Sequence, residues 1–246
     1  MLWGVFGDIH SNFSALDAVL KRFVELGVEG HVCCGDIVGY GADVDDVIER
    51  VSDLPNLRVV RGNHDLAVLG RMDIAWFNEA ARAAVEFTQR TIKPSNLAWL
   101  KDLPPRVDSE LFTVVHGSPR NPAEEYLVTV QQFHDNCSYY KISPCFVGHS
   151  HVPMCFLMKE PVSIVEQGIL TDGRKLLAQI GTRCVANSGS VGQPRDHDPR
   201  ASCGVYDDEN RVFTLVRVEY DVAAVQKRML RVGLPEFLAA RLAYGQ

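Results

Sequence analysis

The sequence predicts a layered α/β fold in which two β-sheets pack face to face with helices outside. Three observations carry this. The first third of the chain alternates short apolar runs with stretches of helical spacing, the pattern of parallel βαβ units. Between residues 154 and 218 the apolar runs follow one another, separated by Gly, Pro, Asp and Asn, and read as antiparallel strands and hairpins. Finally, five of the runs end at Gly, Asp or His, as strands do where an open α/β sheet places its ligand site.

In chain order, run 2–6 is the first strand. Leu16, Val19, Leu20, Phe23 and Val24 then recur at helical spacing, with Ser11 or Asn12 as the N-cap and Gly27 as the stop. The strand at 31–34 is expected to pair in parallel with the first through a right-handed crossover. A helix over 43–52 leads to a strand at 57–60 that reads as buried. Residues 75–103 are helical in spacing, with Pro94 starting a new helix. Their aromatics Trp76, Phe77, Phe87 and Trp99 read as packing residues rather than a ligand box. Pro104 and Pro105 break the run before a strand at 111–115, a helix over 129–140 and a strand at 145–147. Strands are expected at 154–158, 162–166, 176–180, 184–187, 203–206 and 212–218. The tail, 222–242, returns to helical spacing with Pro235 between two helices.

Composition narrows the function. At 246 residues with 46% apolar and 23% charged content, one sizeable core and one domain over 1–246 are expected, with no linker, internal repeat or low-complexity segment. The apolar start meets Asp8 too soon for a signal peptide or a transmembrane helix. Seven scattered cysteines, odd in number and without a C-x-x-C pair, read as reduced, mostly buried thiols in the cytoplasm. A net charge of -6 argues against a membrane-surface or generic nucleic-acid binder, which carries a basic face.

The chemistry sits at the strand ends. They deliver Asp8 and His10, Asp36, Asn63 with His64, His116, and His149 with His151, while His31, His134 and His197 fall elsewhere and read as ordinary residues. Clustered Asp and His at convergent strand ends is a metal-site inventory. Asp8 and His10 stand two apart, so on an extended segment both side chains point to one side. Asp36 has two oxygens and can bridge two metals. Mixed imidazole and carboxylate donors suit Mn, Fe, Zn or Ni better than calcium or magnesium. Two dications also make the site positive on an acidic protein, as an anionic substrate needs.

At these blocks (D-x-H, GD, GNHD, H and GHSH, all in order) the chain resembles the calcineurin-like metallophosphoesterase superfamily. The resemblance implies a four-layer αββα sandwich. It also implies that Asp8, His10, Asp36 and His151 hold one metal, and that Asp36, Asn63, His116 and His149 hold a second. In that reading a phosphate mono- or diester is hydrolysed by in-line attack of a metal-bridging hydroxide. His64, not needed as a ligand, faces the leaving group as general acid, and Asp65 either orients that imidazole or, the preferred reading, caps the following helix.

One departure matters. Where the superfamily's protein phosphatases carry an Asp-Arg pair after the GD block, this chain reads Gly39-Tyr40-Gly41. That block, with the segment 187–195, resembles instead the small prokaryotic phosphodiesterases and diadenosine tetraphosphate hydrolases. The segment's Gly and Ser residues are expected to offer backbone N–H groups to phosphate. Arg195, nearest that turn, replaces the missing clamp, with Arg120 and Arg200 as further candidates. Tyr40 is expected to line the cleft. The partner is then a small phosphorylated substrate, nucleotides being one class, and an edge strand among the later hairpins leaves room for a homo-oligomer. The competing reading is a catalytically silent binding module on the same fold, which has no need of His64. A β-lactamase-like metallohydrolase is set aside, because no H-x-H-x-D-H run occurs.

Overall fold

The structure, a computed structural model, describes residues 1–159 and 164–246, with Trp76 described by its backbone alone. Among these residues two six-stranded sheets form. The first contains β1 (Leu2–Phe6), β2 (Gly30–Cys33), β3 (Leu57–Val59), β9 (Lys175–Leu177), β11 (Ala201–Asp207) and β12 (Val212–Val218), in the order β3-β2-β1-β11-β12-β9. The second contains β4 (Arg106–Asp108), β5 (Thr113–Val115), β6 (Cys145–Val147), β7 (Met154–Lys159), β8 (Val165–Ile169) and β10 (Thr182–Asn187), in the order β4-β5-β6-β10-β7-β8. The helices are α1 (Phe13–Glu25), α2 (Val44–Ser52), α3 (Asn63–Val68), α4 (Glu79–Thr91), α5 (Pro94–Asp102), α6 (Val130–Asn136), α7 (Val222–Arg231) and α8 (Glu236–Ala240).

The period-2 alternation of strand side chains builds the layers. Val5 and Cys34 point between the sheets, into one cluster with Phe112, Phe146, Tyr206 and Phe213. Their neighbours Phe6 and Cys33 point outward, against Leu16, Val19 and Phe23 of α1 and Val47 and Val51 of α2. On the opposite face Val115, Cys145 and Phe156 pack with Phe133 of α6. This is the four-layer αββα sandwich. Trp3 on Phe112, centroids 5.0 Å apart, and Phe146 on Tyr206, 5.4 Å, join the two sheets edge to face. Burying side chains of this size contributes about 1.5–3 kcal/mol each.

β1 and β2 pair in parallel, Val5 opposite Val32, as expected. After β6 the pairings are antiparallel, apart from β10, which lies between β7 (antiparallel) and β6 (parallel). Asn12, not Ser11, caps α1, its Oδ1 accepting the Ala15 N–H at 3.1 Å. β3 is an edge strand with Arg58 exposed rather than a buried one. The strand expected at 111–115 begins at Thr113, because Ser109 Oγ holds the Leu111 and Phe112 N–H groups in a turn. β4 was not expected, as three residues beside two prolines carry no readable period. The helix expected over 129–140 stops at Asn136 and tightens into a 3₁₀ turn, Cys137–Tyr139. The strand expected at 162–166 has its first two residues outside the described ones and runs Val165–Ile169. No helix among the described residues is long and apolar enough to cross a membrane.

Candidate metal centre

The five strand ends converge at one place. The loops after β1 and β2 are laced together, Asp8 N–H donating to Gly35 O at 2.9 Å and His10 N–H to Asp36 O at 3.0 Å. Those after β5 and β6 are joined by Gly148 N–H to His116 O at 2.8 Å. Asp8 and His10 do face one centre, but not by extended geometry: both lie at φ 50°, as left-handed turns. Asp36, His149 and His151 also have positive φ, at 51°, 67° and 59°. Five of the seven predicted ligands thus hold a conformation that costs energy, and such strain persists only where the surrounding fold fixes it.

Two groups of donor atoms result, one of Asp8, His10, Asp36 and His151, the other of Asp36, His116 and His149. Asn63 joins the second, its Oδ1 lying 3.0 Å from His116 Nε2. Asp36 Oδ2 stands between them, 3.6 Å from His10 Nε2 and 3.4 Å from His116 Nε2, buried and without a hydrogen-bond partner. Its other oxygen accepts the His64 N–H at 2.9 Å. Gly62 permits this approach, since a Cβ there would fall 2.1 Å from Asp36 Oδ1.

Each imidazole has its far nitrogen fixed by a main-chain carbonyl. His10 Nδ1 donates to Val38 O (3.1 Å), His116 Nδ1 to Cys34 O (2.9 Å), His151 Nδ1 to Gln193 O (2.7 Å) and His149 Nε2 to Glu124 O (3.1 Å). Those bonds place the proton on the far nitrogen and leave a lone pair on the near one. Near nitrogens then face each other, His10 to His151 at 3.1 Å and His116 to His149 at 3.2 Å. Lone pairs opposed at that distance, beside an orphaned carboxylate oxygen, fit a shared cation and the outer-shell pattern of metal-bound histidine.

The electrostatics agree. Burial pushes Asp8 up to about 8 and Asp36 well above the usual carboxylate range. Burial likewise holds His10, His116 and His151 well below the usual imidazole range. Stripped of water, carboxylate charge is costly and a dication is its natural counter-charge.

His64 is the second residue of α3, which Asn63 opens; the helix begins before Asp65 rather than after it, because six residues are too few to show a helical period. Asp65 thus lies within the helix rather than ahead of it: Gly62 is the N-cap, and Asp65, the third helical residue, accepts its N–H through Oδ2 at 2.8 Å, while Oδ1 accepts Ile37 and Val38 N–H. The His64 ring packs against His10, Tyr40 and Phe77 at 4.9, 4.5 and 4.9 Å. Its Nδ1 is buried against Gly39 without a partner, leaving Nε2 toward the cleft. Burial and the charge of Arg195 lower it to about 3, so the free ring is neutral at pH 7.

The cleft is about 510 Å³ and is lined by Asp36, Asn63, His64, His149 and His151 together with Tyr40 and Arg195. Arg195 Nη2 donates to Gln193 Oε1 at 2.9 Å and to Tyr40 Oη at 3.4 Å. Arg120 and Arg200 do not reach it: the first pairs with Glu125 and Asp135, the second with Asp198 and Asp172. The turn at 187–195 is also used otherwise than expected. Its Gly189, Val191, Gly192, Gln193 and Arg195 N–H groups all donate within the protein. It supports the centre instead, Ser190 Oγ donating to Asp8 O at 2.7 Å. A Cβ on Gly192 would fall 1.8 Å from Ile9 O, which explains the glycine.

Four lining residues carried no usable sequence signal. Phe77 packs in the core, as expected, and also lines the cleft. Tyr126 stacks on His149 at 4.0 Å, and Phe237 and Arg241 come from the tail. Phe87 and Trp99 pack against the core, while the Trp76 side chain lies outside the described residues.

The profile of the calcineurin-like phosphoesterase superfamily domain matches residues 1–211. The chain belongs to this superfamily. The chain is 35% identical to an uncharacterised protein of Methanocaldococcus jannaschii over 98% of this chain and 97% of that one. A metallophosphoesterase from Sphaerobacter thermophilus, solved by crystallography, is 39% identical with a TM-score of 0.88, covering 100% of this chain and 99% of that one. A hypothetical protein from Pyrococcus horikoshii shares the fold, at 22% identity and a TM-score of 0.82, covering 100% of this chain and 98% of that one. Membership of a metal-dependent superfamily and the buried Asp and His groups poised to hold metal thus agree.

Proposed function

We propose that this protein is a dinuclear transition-metal hydrolase of small phosphate esters. The observation that carries the reading is the pair of donor groups meeting at Asp36 Oδ2, with each histidine oriented by a main-chain carbonyl. Asp8, His10, Asp36 and His151 would hold one ion and Asp36, Asn63, His116 and His149 the other, with Mn, Fe, Zn and Ni suited to that nitrogen and oxygen set. When bound, such ions supply Lewis acidity toward water and phosphoryl oxygen.

The chain's own residues do the rest. Arg195, inside the cleft with its Nε buried and unpartnered, replaces the absent Asp-Arg pair as the phosphate grip. His64 presents Nε2 to the ester. Neutral in the free site, it is drawn toward protonation by the incoming phosphate's negative charge and can then give a proton to the leaving oxygen. Rings from Tyr40, Phe77 and His10, rather than a carboxylate, keep it in place. The resemblance of the 39–41 block supports the phosphodiesterase and dinucleotide-hydrolase branch over the protein phosphatases.

The test is hydrolysis of an aryl phosphodiester and an aryl phosphomonoester side by side in Mn(II), Zn(II), Mg(II) and chelator, with elemental analysis of bound metal. Turnover requiring a transition metal, with two ions per chain, is expected. Metal bound without turnover of any ester would overturn the hydrolase reading in favour of the binding module.

A further inference from the structure

The superfamily profile ends at residue 211, yet part of the cleft is built beyond it. Phe237 on α8 and Arg241, which opens the 3₁₀ turn Arg241–Tyr244, line the same space as Asn63 and His64. The tail is firmly seated. Val225, Met229, Leu238 and Leu242 pack with Tyr40 and Ala84, Arg228 pairs with Asp43 and Asp46, and His197 N–H donates to Gly245 O at 2.9 Å.

Packing does not explain the two side chains themselves. Phe237 is 61% exposed, with the Arg241 guanidinium over its ring at 5.3 Å. Neither Arg241 nor Arg195 has a side-chain carboxylate partner among the described residues: Arg241 Nε donates to Gln246 O, and the Arg195 guanidinium bonds to Gln193 and Tyr40. Burial, and after it the charge of Arg195, holds Arg241 below the usual guanidinium range, so the two cations repel. An anion bridging them would relieve this. Their placement also differs. Arg195 comes from the turn at 187–195 and bonds Gln193 and Tyr40, whereas Arg241 comes from the tail and lies over Phe237.

We propose that Phe237 and Arg241 form an outer, leaving-group subsite for a free nucleotide, the base lying on Phe237 and its phosphate held by Arg241. A planar base carrying an anion is what an exposed aromatic ring beside a guanidinium, both lining the cleft, recognises. The assignment of this half as the leaving group rests on the hydrolase reading above; the binding does not.

The experiment titrates the metal-loaded protein calorimetrically with the non-hydrolysable 5′-methylenephosphonate analogue of AMP, with methylphosphonate and with adenosine. Wild type is compared with Arg241→Gln, Arg241→Lys and Phe237→Ala, each checked by thermal melting. The nucleotide analogue should bind wild type at least about tenfold tighter than methylphosphonate, and Arg241→Gln and Phe237→Ala should each remove about tenfold of that preference. Arg241→Lys should restore part. Equal affinity for analogue and methylphosphonate in wild type, or an unaltered preference in Phe237→Ala, whose exposed ring leaves folding intact, would overturn the subsite. Displacement of the analogue by a single-stranded oligonucleotide at lower concentration would overturn its assignment to a free nucleotide. Aryl diester turnover, measured in parallel, separates the two readings. Turnover without nucleotide preference refutes the subsite alone, and preference without turnover supports the subsite and refutes the hydrolase.

Discussion

Replacing Asp8 by Asn should make the metal-free protein more stable and the metal-loaded protein less so. In the unfolded chain this carboxyl titrates at 3.8, and burial pushes it up to about 8 in the fold. Folded pKa above unfolded pKa means that Asp8 costs nothing below pH 3.8, and that stability is lost progressively as pH rises to about 8. At pH 7 the interval above 3.8 is about three pH units, which at about 1.36 kcal/mol each sets a ceiling of about 4 kcal/mol. Asp36 lies in the same buried donor group, and sharing of protons between the two brings the expected gain for Asp8→Asn to about 1–3 kcal/mol. The amide can keep the His149 N–H that both Asp8 oxygens now accept at 3.1 Å. Urea unfolding in chelator should show the variant ahead at pH 7.5 and the difference shrinking toward pH 5. In Mn(II) at a hundred times its Kd the wild type should gain about 2.7 kcal/mol and the variant much less, inverting the order. A variant less stable than wild type in chelator at pH 7.5, or equal Mn(II) stabilisation of both, would refute the reasoning.

Other perturbations separate the parts of the site. His64→Ala should lower kcat by about 10²–10⁴-fold while elemental analysis finds the metal content unchanged; loss of metal with activity would instead make His64 a structural residue. Arg195→Ala should weaken binding of inorganic phosphate by about 1.5–3 kcal/mol in calorimetry, with Arg195→Lys recovering only part, because a point charge does not reproduce a forked donor. Gly192→Ala, which sets a Cβ 1.8 Å from Ile9 O, should destabilise the fold by about 1–3 kcal/mol in thermal melts and lower metal affinity by displacing the Asp8 loop. An unchanged melting temperature would show that the turn at 187–195 does not brace that loop.

The order of elements, the two-layered sheet and the gathering of Asp8, His10, Asp36, Asn63, His116, His149 and His151 were legible from the chain alone. The period of 2 in runs such as β1 and the period of 3.6 in α1 are local properties, and residue types that bind metal keep their identity wherever the fold carries them. What local pattern could not reveal depends on distant neighbours. The left-handed turns at Asp8 and His10 are imposed by hydrogen bonds to the β2 loop, so the extended geometry inferred from their spacing was the wrong reason for their convergence. Arg195 differs in sequence from Arg120 and Arg200 only by its nearness to the Gly-rich turn. Only tertiary pairing with Glu125, Asp135, Asp172 and Asp198 removes them from candidacy, and only the seating of the tail on Tyr40 and α4 brings Arg241 and Phe237 to the cleft. Residue type and period are written along the chain, whereas the partner a charge finds is a matter of contacts between segments far apart in sequence, which exist only once the chain is folded.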